Sequence, residues 1–231
     1  MFEILSLVLA PVLPIEAGNQ QNDRNAENDI VVTASSRDYP LNGKQFEAAL
    51  KAFRKHRPFF APQSRLWFEV SARQGDPSLA GVSLALSDGH TRIPLTIGED
   101  HRIAIPEVAG NSWHLVHVGR PKALRIRPWV LSPNTSGSDL RLGDLQVQCR
   151  VGWAIARQSE SIFVTGMFDV IGGCASSKIG LYQELGRPIA SAILIEGSKQ
   201  AAIPVWHDTA MRMPTYIKGY TVEARVRIVY R

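Results

Sequence analysis

The hydrophobic periodicity of the chain changes at Ser64, and this change constrains the fold more than any other feature of the sequence. Before Ser64 the apolar residues repeat at helical spacing, whereas after it they alternate with polar residues. Turn-forming residues then return at the roughly 8–12-residue spacing that is typical of β-sandwiches. The sequence therefore predicts a mainly β protein with one N-terminal amphipathic helix, followed by two sandwich-like units.

The first unit is predicted to span residues 64–131. Its strand candidates are 65–72, 81–87, 91–97, 101–105, 113–118 and 123–130. Asp88-Gly89-His90 predicts a tight hairpin between the second and third candidates, and Gly98-Glu99-Asp100 predicts another between the third and fourth.

The segment 81–108, GVSLALSDGHTRIPLTIGEDHRIAIPEV, resembles a carboxypeptidase-regulatory-like or transthyretin-like β-sandwich repeat. The resemblance implies an immunoglobulin-like or transthyretin-like sandwich for this unit. Because that family is mostly non-catalytic, the resemblance also implies a binding or structural role.

A run of turn formers at 132–139, SPNTSGSD, predicts the boundary between the two units, so that the second spans 140–231. Strict alternation predicts strands at 145–153 and 222–231, the latter with a basic outer face. Further strand candidates are 161–170, 189–196 and 200–205. No helix is predicted after Pro58.

The predicted helix spans 43–56, within an N-terminal unit of residues 30–63. Its apolar face is formed by Phe46, Ala49, Leu50 and Phe53. Asn42 is the expected N-cap, and Pro58 is expected to end the helix.

Residues 1–17 contain an apolar run from Ile4 to Ile15 and are predicted to be a secretory signal peptide. This run is shorter than the roughly 20 apolar residues that a membrane-spanning helix needs, so we expect no membrane span. Residues 18–29 are almost entirely polar and predict a disordered lead. The following DIVVTA, residues 29–34, resembles the start of many exported proteins of Gram-negative bacteria, which implies a periplasmic or secreted location.

The chain has two cysteines, Cys149 and Cys174. In an oxidising compartment they have one possible intramolecular pairing, which predicts a disulfide. On the chain-entropy account, this bond would stabilise the fold by about 3–4 kcal/mol. The alternative is two unrelated buried thiols.

The candidate ligand residues are His90, His101, His207 and Asp208. They lie in or beside predicted turns, which could place them together at one end of the sandwich. Exposed loop histidines without a ligand are the competing interpretation, since a metal site needs three or four converging groups. The sequence contains no phosphate-binding glycine loop, His-Glu-x-x-His or paired Cys-x-x-Cys. We therefore predict no catalytic residue, no cofactor and no metal.

The formal net charge of +5 would become +7 without Glu3 and Glu16. Because no block of five like charges is present, nucleic acid is not an expected partner. We expect an exported, non-catalytic module that binds an unknown envelope protein or polymer. Two alternatives remain: a hydrolase or metal-dependent enzyme whose site assembles only in three dimensions, and an anionic-polymer binder that uses the basic strand with Arg225, Arg227 and Arg231.

Overall fold

The computed structural model describes residues 30–31, 41–72, 79–108, 113–118, 124–176 and 178–231. The predicted signal peptide at 1–17 and the predicted lead at 18–29 lie outside these residues. Within the described part, the protein is mainly β with three α-helices, as the periodicity predicts for the class. The helices are α1 Gly43–Phe60, α2 Leu142–Ala156 and α3 Ile162–Val170.

The fifteen described strands are short, and their bounds follow in chain order. They are β1 Ile30–Val31, β2 Arg65–Ala72, β3 Ser83–Ser87, β4 Arg92–Leu95, β5 Arg102–Ala104, β6 His114–Val118, β7 Leu124–Leu131, β8 Asp139–Arg141, β9 Ile179–Gly180, β10 Tyr182–Glu184, β11 Ile189–Glu196, β12 Lys199–Ala202, β13 Val205–Trp206, β14 Ala210–Arg212 and β15 Arg225–Tyr230.

The strands form four antiparallel sheets and one parallel pair. The sheets have the orders β5-β2-β7, β4-β3-β6, β12-β11-β15-β8 and β10-β14-β13, and the parallel pair is β1-β9. The predicted strands of the first unit all appear, and β2 and β11 have the predicted bounds.

The sheet β5-β2-β7 contributes side chains from its two faces to two different hydrophobic cores. On one face, Phe68 and Val130 pack with α1 and with the sheet β4-β3-β6. On the other face, Trp67 and Trp129 pack with the sheet that contains β11 and β15. Alternating side chains of the same strands therefore serve two different hydrophobic cores.

Helix α1 begins where the sequence predicts. Asn42 accepts a hydrogen bond from the backbone N–H of Gln45 at 2.9 Å, while its own N–H donates to Gln45 Oε1 at 3.1 Å. This reciprocal pair is a capping box. All four predicted apolar residues of the helix are buried, and the Phe46 ring lies 5.8 Å from that of Phe68.

The predicted end of α1 is wrong, because the helix continues through Pro58 to Phe60. A proline in the last turn removes one backbone donor, yet the preceding turns are already held by the buried face. The backbone N–H of Ala61, donating to the Arg57 carbonyl at 2.9 Å, closes the final turn.

The prediction that Gly98-Glu99-Asp100 joins two paired strands is also wrong. Strands β4 and β5 belong to different sheets, so the chain crosses from one sheet to the other at this turn. The Asp88-Gly89-His90 hairpin is confirmed, since β3 and β4 are antiparallel neighbours.

The strand predicted at 145–153 is a helix, α2, and the prediction of no helix after Pro58 fails with it. On a helix, residues four apart lie on one face. In α2, two pairs of residues with this spacing contact two different cores. Val147 and Val151 belong to the core with α1, whereas Cys149 and Trp153 belong to a third cluster around Cys174. Because α2 is buried on several sides, its apolar residues fall on every second position and imitate a strand.

The strand predicted at 161–170 is helix α3. Ser161 is its N-cap, since the hydroxyl oxygen accepts a hydrogen bond from the backbone N–H of Val164 at 3.3 Å. The domain boundaries at 63–64 and 131–140 stay predictions.

Candidate functional site

The structure contains a groove of about 1120 Å³ between the second half of α1, the start of β2 and the outer strands β4 and β5. Its floor is apolar, and its rim carries most of the polar groups. The apolar lining residues are Leu50, Phe53, Leu66, Ile93, Pro94, Leu95, Ala104, Ile105, Pro106 and Val108, and the polar ones are Arg54, Arg57, Gln63, Ser64, Arg65, Thr96 and Glu107. Its apolar lining residues and the few charged groups beside them make the groove a candidate binding surface.

Two arginines of α1 hold the walls of the groove. The Arg54 side chain donates a hydrogen bond from Nη2 to the carbonyl oxygen of Val108. Arg57 Nε donates to the carbonyl oxygen of Pro62 at 2.9 Å. The helix is thereby fastened both to the segment after β5 and to the loop that leads into β2.

Arg57 also forms an ion pair across the groove, with 3.2 Å between its Nη1 and Oε1 of Glu107. Its guanidinium lies 5.7 Å from the centre of the Phe53 ring. The Glu107 side chain is 93% exposed, so solvent screens this pair and a competing carboxylate can replace it at little cost.

Arg54 and Arg65 are both exposed, but the Arg65 side chain differs from those of the other two arginines because it forms no hydrogen bond or ion pair with another described residue. It is the first residue of β2 and lies opposite Leu131 in register. The groove thus has three arginines and one carboxylate, which gives its rim a positive balance that suits an anionic group.

The described residues that line the groove include neither histidine nor cysteine. The Ser64 hydroxyl is buried and donates to the Ala61 carbonyl at 2.8 Å, so it stabilises the turn after α1. Burial lowers the pKa of His56 on α1, with the Arg150 and Lys55 charges adding to the effect. His56 does not line the groove, and the lining offers no paired nucleophile and base.

Two of the candidate ligand residues, His90 and His101, lie in turns. His90 donates its backbone N–H to Asp88 Oδ1 at 2.9 Å. His101 has a φ of 60° and uses its carbonyl to accept from the Val70 N–H at 2.8 Å. Backbone geometry of the turns therefore accounts for both positions.

The other two, His207 and Asp208, form the turn between β13 and β14, and both have positive φ. The His207 ring meets the edge of the Trp206 ring at 3.9 Å between centres. The Asp208 carboxylate lies 3.5 Å from the Arg231 guanidinium. Within the described ranges, no three or more His, Cys, Asp or Glu side chains lie together as a metal site.

The sulfur atoms of Cys149 and Cys174 are bonded to each other, with 5.9 Å between the Cα atoms. Cys149 lies on α2, and Cys174 lies in a short 3-10 turn after α3. The bond is covered by Phe168, whose ring stacks on Trp153 at 3.9 Å. The disulfide therefore fixes α3 against α2 and has a structural role.

The basic face predicted on the last strand is partly neutralised. Arg225 forms two hydrogen bonds with the Asp139 carboxylate, at 2.9 Å from Nε and 2.7 Å from Nη2. The hydrogen bonds that Arg225 donates to the Asp139 carboxylate raise the pKa of Arg225. Of the other two arginines in the predicted basic face, Arg231 lies near Asp208 and Arg227 is exposed.

Sequence reasoning missed the groove, because its walls come from segments that are distant in the chain.

No helix in the described ranges is both long and apolar enough to cross a membrane. No protein-family model, curated protein or solved structure matches this chain.

Proposed function

We propose that the protein is an exported, non-catalytic binding module, and that its groove binds a segment of an envelope protein that carries apolar side chains and carboxylates. The observation that carries the proposal is the apolar groove with Arg54, Arg57 and Arg65 at its rim. An apolar floor supplies affinity, and a few charged groups supply orientation.

The Arg57–Glu107 ion pair supports the choice of a carboxylate ligand. Arg57 already binds one exposed carboxylate in the groove, at 3.2 Å. A ligand carboxylate would replace Glu107 and could at the same time approach Arg65. Neutral apolar ligands would use only the floor and would bind more weakly.

The signal-like run at 1–17 and the disulfide between Cys149 and Cys174 support a periplasmic or secreted location. For the fold, we propose a sandwich-like arrangement of the sheets β5-β2-β7 and β4-β3-β6. It is supported by the single hydrophobic cluster to which both sheets contribute side chains.

Fluorescence anisotropy with two labelled peptides, one alternating Leu with Asp and one alternating Leu with Lys, tests the binding proposal. We expect the Leu–Asp peptide to bind more tightly and to lose affinity as salt is added. Arg65→Glu should weaken it at least tenfold, and Glu107→Gln should strengthen it several-fold because the competing carboxylate is gone.

Arg227→Glu is the matched control, since it makes the same charge change on an exposed strand residue outside the groove. Equal weakening by Arg65→Glu and Arg227→Glu would overturn the groove as the site and favour general anionic attraction. Turnover of ester or phosphate substrates by the pure protein, abolished by a groove variant, would establish the enzyme alternative instead.

A further inference from the structure

Helix α3 presents an exposed apolar face. Four of its side chains are exposed, namely Ile162 at 90%, Phe163 at 73%, Met167 at 44% and Val170 at 86%. Soluble proteins seldom leave so many large apolar side chains together in water, so such a face usually has an occupant.

The opposite face of α3 is firmly held. Phe168 stacks on Trp153, and Asp169 lies 3.3 Å from Arg157 of the segment after α2. The disulfide at Cys174 fastens the chain just beyond the helix. The exposed face is therefore a fixed surface of a packed helix.

The N-terminal part of the chain meets the described structure beside this helix. In β1, Ile30 is paired with Ile179 and Val31 with Gly180, in parallel. Ile179 belongs to the same apolar cluster as Phe168 of α3. Because the pairing is parallel, the chain enters β1 from the side on which Cys174 and the end of α3 precede β9.

The segment that leads into β1 contains an apolar run that is long enough to cover the exposed face of α3. Ile4 to Ile15 includes five leucines, isoleucines and valines in its first six residues, and it carries no charge. Residues 16–29 can span up to about 46 Å when extended. Helix α3 is only about 14 Å long, so the run can reach the whole face.

We propose that the apolar run Ile4–Ile15 packs on the exposed face of α3 in the full chain, and that removal of this segment uncovers the face. The tether favours this occupant over a second copy, because a short linker gives a local concentration of about millimolar. The inference does not depend on the groove or its ligand.

Photo-crosslinking from position 163 tests the contact. Phe163 is replaced by benzoylphenylalanine in the full chain, with the N-terminal segment retained and the disulfide formed. After irradiation, the disulfide is reduced and the protein is digested with trypsin. Since Arg24 is the first tryptic site, the whole run lies in the peptide 1–24.

We expect peptide 1–24 to be joined to the peptide that contains position 163, within monomers. Benzoylphenylalanine at Phe59, which is 76% exposed on α1, is the matched control and should not form this product. Crosslinks from position 163 only to a second copy, or none to the run, would overturn the proposal.

A second measurement compares the full chain with a chain that begins at Gly18. We expect the shorter chain to bind the dye anilinonaphthalene sulfonate at least threefold more. In that chain, Phe163→Glu together with Met167→Glu should return dye binding to the level of the full chain. Equal dye binding by the two chain lengths would contradict the proposal.

Discussion

Asp144 accepts two hydrogen bonds from Ser132, one from its backbone N–H at 2.8 Å and one from its hydroxyl at 2.7 Å. The carboxylate is completely buried, and it fastens the end of β7 to the first turn of α2. Burial nevertheless raises the pKa of Asp144, although the bonds from Ser132 and the charge of Arg141 act in the opposite direction.

This raised pKa predicts a pH-dependent stability difference between the wild-type protein and Asp144→Asn. A folded pKa above the unfolded value means that ionisation weakens the fold as pH rises from about 4 through the folded pKa. The free energy of unfolding of the wild type, minus that of the variant, should therefore decrease with rising pH. Urea unfolding between pH 3 and about 8 measures the difference.

Asp88 provides a control of opposite sign. The backbone N–H groups of Thr91 and His90 lower the pKa of its carboxyl. Its stabilising effect is present above the unfolded pKa and is lost as pH falls through the folded pKa. The free energy of unfolding of the wild type, minus that of Asp88→Asn, should therefore increase with pH. If this difference had the same pH dependence for Asp88→Asn and Asp144→Asn, the local environments of the two carboxyls would not be responsible.

Gly143, in the first turn of α2, lies against the backbone of Phe60, the last residue of α1. A Cβ atom added there would overlap the carbonyl oxygen of Phe60, which is backbone and cannot turn away. We expect Gly143→Ala to lower the free energy of unfolding by about 1–3 kcal/mol. Gly152→Ala on the same helix has open space around the new atom and should be neutral or stabilising by up to about 1 kcal/mol. Similar losses in both would contradict the close contact.

The hydrogen bond from Arg54 to the Val108 carbonyl is expected to stiffen one wall of the groove. Arg54→Met removes the bond but keeps an unbranched apolar side chain. We predict faster amide hydrogen exchange at residues 104–108, measured by mass spectrometry. Lys51→Met, an exposed change on the same helix, should leave that exchange unchanged. Unaltered exchange in Arg54→Met would mean that packing alone holds the wall.

Removal of the disulfide should destabilise the protein measurably. We expect the double variant Cys149→Ala, Cys174→Ala to lose about 3 kcal/mol in the free energy of unfolding. Reduced wild-type protein should show a similar loss. A loss below about 1 kcal/mol in both would mean that the third cluster holds α3 to α2 without the bond.

Periodicity predicts those strands that have one buried and one more exposed face. In β15, buried Val226 and Ile228 alternate with exposed Arg227 and Val229, and the sequence shows this pattern directly. The same reasoning fails for α2, because its apolar positions face several cores at once. It fails for α3 because the exposed Ile162 and Phe163 remove the polar face that a surface helix normally has.

The groove could not be predicted from any local pattern. Arg57 and Glu107 are far apart in sequence, and the strands behind them belong to two sheets. The chain changes sheets between β4 and β5, so strands of both sheets line the groove beside α1. The two-cysteine count, by contrast, left only one intramolecular pairing to consider.

Strand β15 follows all the other described strands in sequence, yet it lies inside its sheet, between β11 and β8. Strand β8 pairs with no other strand of that sheet. During synthesis, therefore, β8 has no strand of this sheet to join until residues 225–230 have been made. The second core, to which Val226 and Ile228 of β15 contribute, is therefore incomplete in a growing chain that has not yet reached residue 225.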